Sequence, residues 1–192
     1  MAQTAPFFDL VRQSLEDPVS AGHRLIALRP PMMIRWMLLA ATVASSVALL
    51  YLPAGLSGQL SLMPSPVSFA AIQAAANILL AVLVARVGQA FGGTGRFADA
   101  LWLVGWMQAI TTLMLVVQIV AVLVLPGLNM PVAMLSIGVS LWVLVGYILA
   151  LHGFVSRLMV LVGIVGVFIL LSVVLSIVLV MLGFDPSGVG NV

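Results

Sequence analysis

Five long apolar stretches dominate the chain, and none of them alternates apolar with polar residues. About 20 mostly apolar residues in a helix cross a hydrocarbon core about 30 Å thick. Unbroken apolar stretches favour such helices over the strands of a membrane barrel. We therefore predict an all-α fold, a polytopic membrane helical bundle with five transmembrane helices. The predicted spans are residues 32–52, 67–89, 99–125, 131–152 and 158–183.

An amphipathic segment precedes the first apolar stretch. Apolar residues recur at helical spacing from Phe7 to Leu15, with charged and amide side chains between them. Asp17-Pro18 interrupts this pattern, and a weaker repeat of it follows. We predict three regions, which are a cytosolic amphipathic segment at 1–31, a five-helix transmembrane domain at 32–184 and a short outer tail at 185–192.

Composition makes lipid the natural solvent for most of the surface. The 192 residues are 64% hydrophobic and only 6% charged, whereas soluble domains carry about 25% charged residues. A chain with so few charges cannot cover its own surface with polar groups. The sequence has no cysteine, which excludes disulfides and thiolate chemistry within it.

The positions of the arginines predict the orientation of the bundle. Cytosolic loops of membrane proteins are enriched in basic residues. With the N-terminus in the cytosol and five spans, all seven basic residues fall on the inner side, and the C-terminus lies outside. These residues are all arginines, namely Arg12, Arg24, Arg29, Arg35, Arg86, Arg96 and Arg157.

Two spans carry amide side chains within the predicted membrane region. Gln73 and Asn77 lie one helical turn apart on the second span, and Gln108 and Gln118 lie on the third. Polar groups in hydrocarbon are costly unless they are bonded, so these side chains should face the bundle interior. They form either a polar pathway for a small solute or hydrogen bonds between packed helices.

Charged residues at the inner face are candidate contacts for a protein partner or for lipid headgroups. They are Glu16 and Asp17 in the amphipathic segment, with Arg86 and Arg96 beside the loop between the second and third spans. That loop is rich in glycine, because three of its four consecutive residues 92–95 are glycines. It either presents backbone N–H groups to a phosphate or is a flexible connection. The amphipathic segment itself lies on the inner leaflet, docks a partner or remains solvated.

No residue set in the sequence defines a reaction. The two histidines and the few carboxylates do not form a recognisable set of three or four metal ligands. No nucleophile motif or pair of convergent carboxylates is visible. We predict no catalytic residues, no metal site, no cofactor and no nucleic-acid partner, so the chain is expected not to be an enzyme.

The arrangement resembles the Yip family of Ypt/Rab-interacting membrane proteins, in its bacterial branch. The likeness consists of Glu16-Asp17-Pro18, five spans, the inner loop at residues 91–101 and a third span that ends at Pro126. It implies a non-enzymatic bundle of the bacterial cytoplasmic (inner) membrane. Eukaryotic members of that family act in vesicle traffic and contact small GTPases or other membrane proteins. This sequence lacks their long soluble N-terminal region, so a GTPase partner follows only from the resemblance.

Two functions remain open at the level of sequence. The first is a membrane scaffold or protein-interaction component, whose partners are the lipid bilayer and other membrane proteins or a second copy. The alternative is a small-solute transporter or channel that uses the amide side chains of the second and third spans.

Overall fold

A computed structural model describes residues 7–56, 58 and 63–181 of the chain. The described residues form seven α-helices, and five of these are long and apolar enough to cross a membrane. The predicted all-α membrane bundle is therefore confirmed. The predicted outer tail and the last two residues of the fifth predicted span lie outside the described residues. The helices are α1 (Phe7–Glu16), α2 (Pro18–Ala27), α3 (Met32–Leu56), α4 (Pro66–Ala90), α5 (Phe97–Val124), α6 (Asn129–His152) and α7 (Arg157–Met181).

Two short helices form at the amphipathic segment, as its sequence pattern predicts. Asp17 separates α1 from α2 and caps α2, because its carboxylate accepts a hydrogen bond from the backbone N–H of Ser20 at 3.2 Å. Pro18 occupies the first helical position, where a missing N–H costs nothing. The one notable boundary difference is in α3, which continues through Pro53 for one more turn.

Helix α5 lies at the centre of the compact unit that ends at Val155. Helices α3, α4 and α6 all pack against it, and its first half is the most deeply buried part of the fold. Leu101 and Ile110 of α5 are almost completely inaccessible, as are Ala81 of α4 and Val143 of α6. The best-packed region thus lies toward the start of α5 and the end of α6.

One end of this unit carries Arg35, Arg86 and Arg96. The starts of α3 and α5 meet there, because Arg35 forms an ion pair with Asp99. The end of α6 meets the end of α4 at the same place, because His152 contacts Val84. We call this the arginine-bearing end. The compartment that it faces stays a prediction.

Helix α7 belongs to a second compact unit, which begins at Ser156. The Ser156 hydroxyl accepts a hydrogen bond from the backbone N–H of Met159 at 3.2 Å and so satisfies one free donor at the helix start. The rest of the helix is apolar apart from Ser172 and Ser176, whose hydroxyls bond to carbonyls one turn earlier in the same helix. Such a helix suits a lipid environment.

Candidate functional site

Helices α1 and α2 pack directly on α5 and α6. Leu10 and Val11 of α1 and Ala21 and Leu25 of α2 are all buried in the common core. The chain's own spans thus cover much of the apolar face of the amphipathic segment, whereas Phe8 is 75% exposed. Residues 1–31, which the sequence pattern sets apart as a region, contribute α1 and α2 to the same compact unit as α3 to α6.

Aromatic side chains of the spans fix α1 and α2 in place through hydrogen bonds. The indole N–H of Trp102 donates to the carbonyl of Leu25 at 3.0 Å. The indole N–H of Trp142 donates to the carbonyl of Leu15 at 3.1 Å. Both carbonyls lie in the last turns of short helices, where carbonyl groups have few intrahelical partners. The Leu25 carbonyl also accepts the backbone N–H of Leu28 at 3.3 Å. The indoles therefore add hydrogen bonds that tie the ends of α1 and α2 to the spans.

Ser14 is the centre of this contact and is completely buried. Its hydroxyl oxygen accepts hydrogen bonds from the hydroxyl of Tyr147 at 2.8 Å and from the indole N–H of Trp106 at 3.3 Å. The Ser14 hydroxyl itself donates to the carbonyl of Leu10 at 2.7 Å. One small side chain thus satisfies two aromatic donors from two different spans, which fixes the position of α1 across α5 and α6.

Glycine and proline let α2 approach α6 closely. A Cβ atom added at Gly22 would lie 2.7 Å from the Cβ of Ala150, which real side chains do not tolerate. Gly146 of α6 faces Pro18 in a similar way. The small residues on both helices therefore define the register of α2 along α6.

The opposite face of α1 and α2 carries exposed charged residues of both signs. Asp9, Arg12, Glu16 and Arg24 are exposed. Arg12 and Glu16 form an ion pair of 2.8 Å one helical turn apart. This hydrogen bond and the charge of Glu16 raise the pKa of Arg12 above its usual high value, so the guanidinium stays charged. We call these four residues the charged face.

Of the predicted inner-face contacts, Glu16 therefore belongs to the charged face, and Asp17 is exposed but serves as the cap of α2. Arg86 and Arg96 are both exposed, at the end of α4 and immediately before α5. Their roles as partner or headgroup contacts stay predictions. Both lie at the arginine-bearing end of the bundle.

A buried ion pair joins α3 to α5 at that end. Arg35 donates to the carboxylate of Asp99 at 2.8 Å and to the carbonyl of Pro30 at 2.9 Å. The side chains of Arg35 and Asp99 are only 9% and 19% exposed. Arg35 is therefore a structural link between two spans and the linker that precedes α3.

The glycine-rich loop between α4 and α5 surrounds the imidazole of His152. The backbone N–H of Gly95 donates to Nδ1 of His152 at 3.1 Å, and Nε2 of His152 is 3.0 Å from the carbonyl oxygen of Val84. A Cβ at Gly88, Gly93 or Gly95 would collide with the ring. The described geometry thus gives these glycines a packing role, which spacing alone did not reveal.

The four amide side chains lie in different environments. Gln73 of α4 donates to the Ser46 hydroxyl of α3 at 2.9 Å, and the Asn77 side chain donates to the Gln73 backbone carbonyl at 2.9 Å. Gln118 donates to the Asn129 side chain at 2.9 Å, near the other end of the bundle. Gln108 is half-buried, and its backbone carbonyl accepts hydrogen bonds from two threonines. Of the two interpretations of these amides, a solute pathway or hydrogen bonds between packed helices, Gln73 matches the second.

A small apolar cavity lies between α4, α5 and α6. Its volume is about 10 Å³, which is close to the space of a single water molecule. Aliphatic and methionine side chains line it together with Tyr147. It contains none of the four predicted amide residues, so the transporter alternative gains no support from it.

Comparisons with protein-family models, with curated proteins and with solved structures found no match to this chain. Among the described residues, no group of three or more His, Cys, Asp or Glu side chains is placed to hold a metal ion. The contacts that stand out are the docked segment with its charged face and the histidine enclosed by glycines.

Proposed function

We propose that this multi-pass membrane protein is a non-enzymatic scaffold that binds another membrane protein through the charged face. The observation that supports this proposal is the docking of α1 and α2 by four aromatic hydrogen-bond donors of α5 and α6. Because their buried contacts hold both helices against the spans, the two helices present their polar side in one fixed orientation. A preorganised surface loses less entropy when it binds a partner.

The signs of the exposed charges favour a protein partner over lipid or nucleic acid. Asp9 and Glu16 alternate with Arg12 and Arg24 on the charged face. Anionic headgroups and nucleic acids select clusters of basic residues. A face that carries both signs suits a protein segment with complementary charges, because such patterns determine specificity and orientation.

The location of the partner follows from the predicted orientation. We place the charged face in the cytosol, at the surface of a bacterial inner membrane, as the arginine distribution and the likeness to the Yip family suggest. A small GTPase partner would rest on that likeness alone. A partner that is itself a membrane protein fits better, because the face lies beside the spans.

Charge reversal on this face tests the proposal. The variant Arg12→Glu/Arg24→Glu makes the charged face wholly acidic while its buried contacts stay intact. After purification in mild detergent, we expect the protein that co-purifies with the wild type to be lost. The matched control is Gln118→Ala, a polar change near the opposite end of the bundle, which should retain that protein.

Deletion of residues 1–31 is a weaker experiment, because it would also uncover the indoles and Tyr147 on α5 and α6.

The melting temperature of the charge-reversal variant should equal that of the wild type, since exposed ion pairs contribute little to stability. Recovery of the same protein in equal amount with wild type and reversed variant would contradict the proposal.

A further inference from the structure

His152 joins three separate parts of the fold. It is the last residue of α6, its Nε2 contacts the carbonyl of Val84 in α4, and its Nδ1 accepts the N–H of Gly95 in the loop before α5. The side chain is only 4% exposed, and the ring of Phe154 stacks on it at 5.3 Å between centroids. We call this arrangement the histidine latch.

The hydrogen bonds of the latch require one neutral form of the imidazole. A backbone amide only donates, so Nδ1 must be unprotonated to accept from Gly95. Nε2 must then carry the ring hydrogen and donate it to Val84. A protonated imidazole carries hydrogens on both nitrogens. The N–H at Nδ1 and the backbone N–H of Gly95 would then point at each other with no acceptor between them.

The neighbouring glycines leave the His152 ring no room to rotate away from the Gly95 N–H. Gly88, Gly93 and Gly95 lie so close to the ring that an added Cβ at any of them would overlap it. The ring therefore has little space on the sides that face α4 and the loop. Relief of the conflict at Gly95 requires the loop to move away from the end of α6.

Charged groups around the latch give no compensation for a positive ring. Within the described residues, the salt bridges are Arg12–Glu16 and Arg35–Asp99, so His152 has no carboxylate partner there. Arg86 on α4 and Arg96 on the loop are exposed and of the same sign as a protonated ring. Asp99, the nearest carboxylate along the chain on α5, is already bonded to Arg35.

We propose that the histidine latch is a pH-sensitive switch, closed when His152 is neutral and open when it is protonated. The proposal is independent of the scaffold function. At high pH, where the ring is neutral, the loop at residues 91–96 stays bonded to α6. At low pH, where the ring gains a second hydrogen, the loop is released together with Arg96.

Hydrogen–deuterium exchange of the full chain in lipid nanodiscs tests the switch. The amide of Gly95 should be protected at about pH 8 and should lose protection at least about tenfold when acid protonates the His152 ring, after correction for the intrinsic pH dependence of exchange. Segments distant from the latch, such as the middle of α5, should keep their protection over the same range.

Two variants separate the latch from general effects of acid. His152→Gln has an amide with one acceptor and one donor and gains no proton in this range, so its loop should remain protected at low pH. His23 is exposed, and His23→Gln should behave as the wild type does.

A measurement without substitution guards against a variant that does not fold. Nitrogen-15 spectra of the His152 ring should show an unprotonated Nδ1 at high pH and two protonated nitrogens where Gly95 loses protection. A flat protection profile in the wild type, or loss of protection that does not coincide with ring protonation, would overturn the proposal. Equal loss of protection in a folded His152→Gln variant would do the same.

Discussion

Single glycines control how closely α4 and α6 approach each other. Gly88 lies inside α4 directly against the ring of His152, whereas Gly138 lies inside α6 with open space around it. Gly88→Ala should therefore destabilise the fold by about 1 to 3 kcal/mol through overpacking. Gly138→Ala, the matched control, should be neutral or slightly stabilising, because alanine is the better helix former. Unfolding by denaturing detergent measures both, and equal stabilities would contradict the described packing.

The ion pair between Arg35 and Asp99 provides a second prediction for individual residues. Asp99→Asn leaves the guanidinium of Arg35 without its charged partner in a mostly buried site. We expect a loss of about 2 to 4 kcal/mol, somewhat below the cost for a fully buried pair. Glu16→Gln at the exposed pair of α1 should leave the melting temperature unchanged. A loss no larger for Asp99→Asn than for Glu16→Gln would show that the buried pair is not formed.

Sequence reasoning could not recover these residue contacts. The glycines at 92–95 were open to two interpretations, because glycine spacing does not reveal which side chain occupies the space beside it. Arg35 and Asp99 are 64 positions apart, and only the parallel direction of α3 and α5 brings them together. One signal was available, since both residues stand near the start of a span that begins at the same side.

At the scale of helices, the docking of α1 depends on the Ser14 hydroxyl. Ser14→Ala removes the shared acceptor of Trp106 and Tyr147, so two buried donors lose their partner. We expect a cost of about 1 to 3 kcal/mol per unpaired donor and faster exchange of amides in α1. Tyr147→Phe removes only one donor and leaves the acceptor bonded to Trp106, so its effect should be smaller. Greater deprotection of α1 by Tyr147→Phe would contradict this hydrogen-bond arrangement.

The helices themselves were largely predictable, because length and apolar content decide a membrane span. All five predicted spans correspond to helices, and the break at Asp17-Pro18 separates α1 from α2. The pattern of α1 also identified which side of the helix is apolar. It could not identify what covers that side, because periodicity is the same whether lipid, a partner or the chain's own α5 and α6 provide the contact.

At the scale of the whole molecule, the direction of insertion remains to be measured. The arginine distribution predicts that the loop around Arg96 lies in the cytosol and that the residues after α7 lie outside. Reporter fusions at Thr94 and at the C-terminus should therefore show opposite compartments. If both reporters lay in the same compartment, the five-span topology would be wrong. The predicted cytosolic location of the charged face would then lose its basis.

The docking of α1 on α6 has a consequence for biosynthesis. Ser14 and Tyr147 are 133 positions apart, so a ribosome working at roughly 5 to 20 residues per second makes Tyr147 roughly 7 to 27 s after Ser14. During that interval α1 has no site to occupy, and its apolar side must rest on lipid or on an assembly factor. Helix α1, which leaves the ribosome before α3 to α7, is thus among the last to reach its native neighbours.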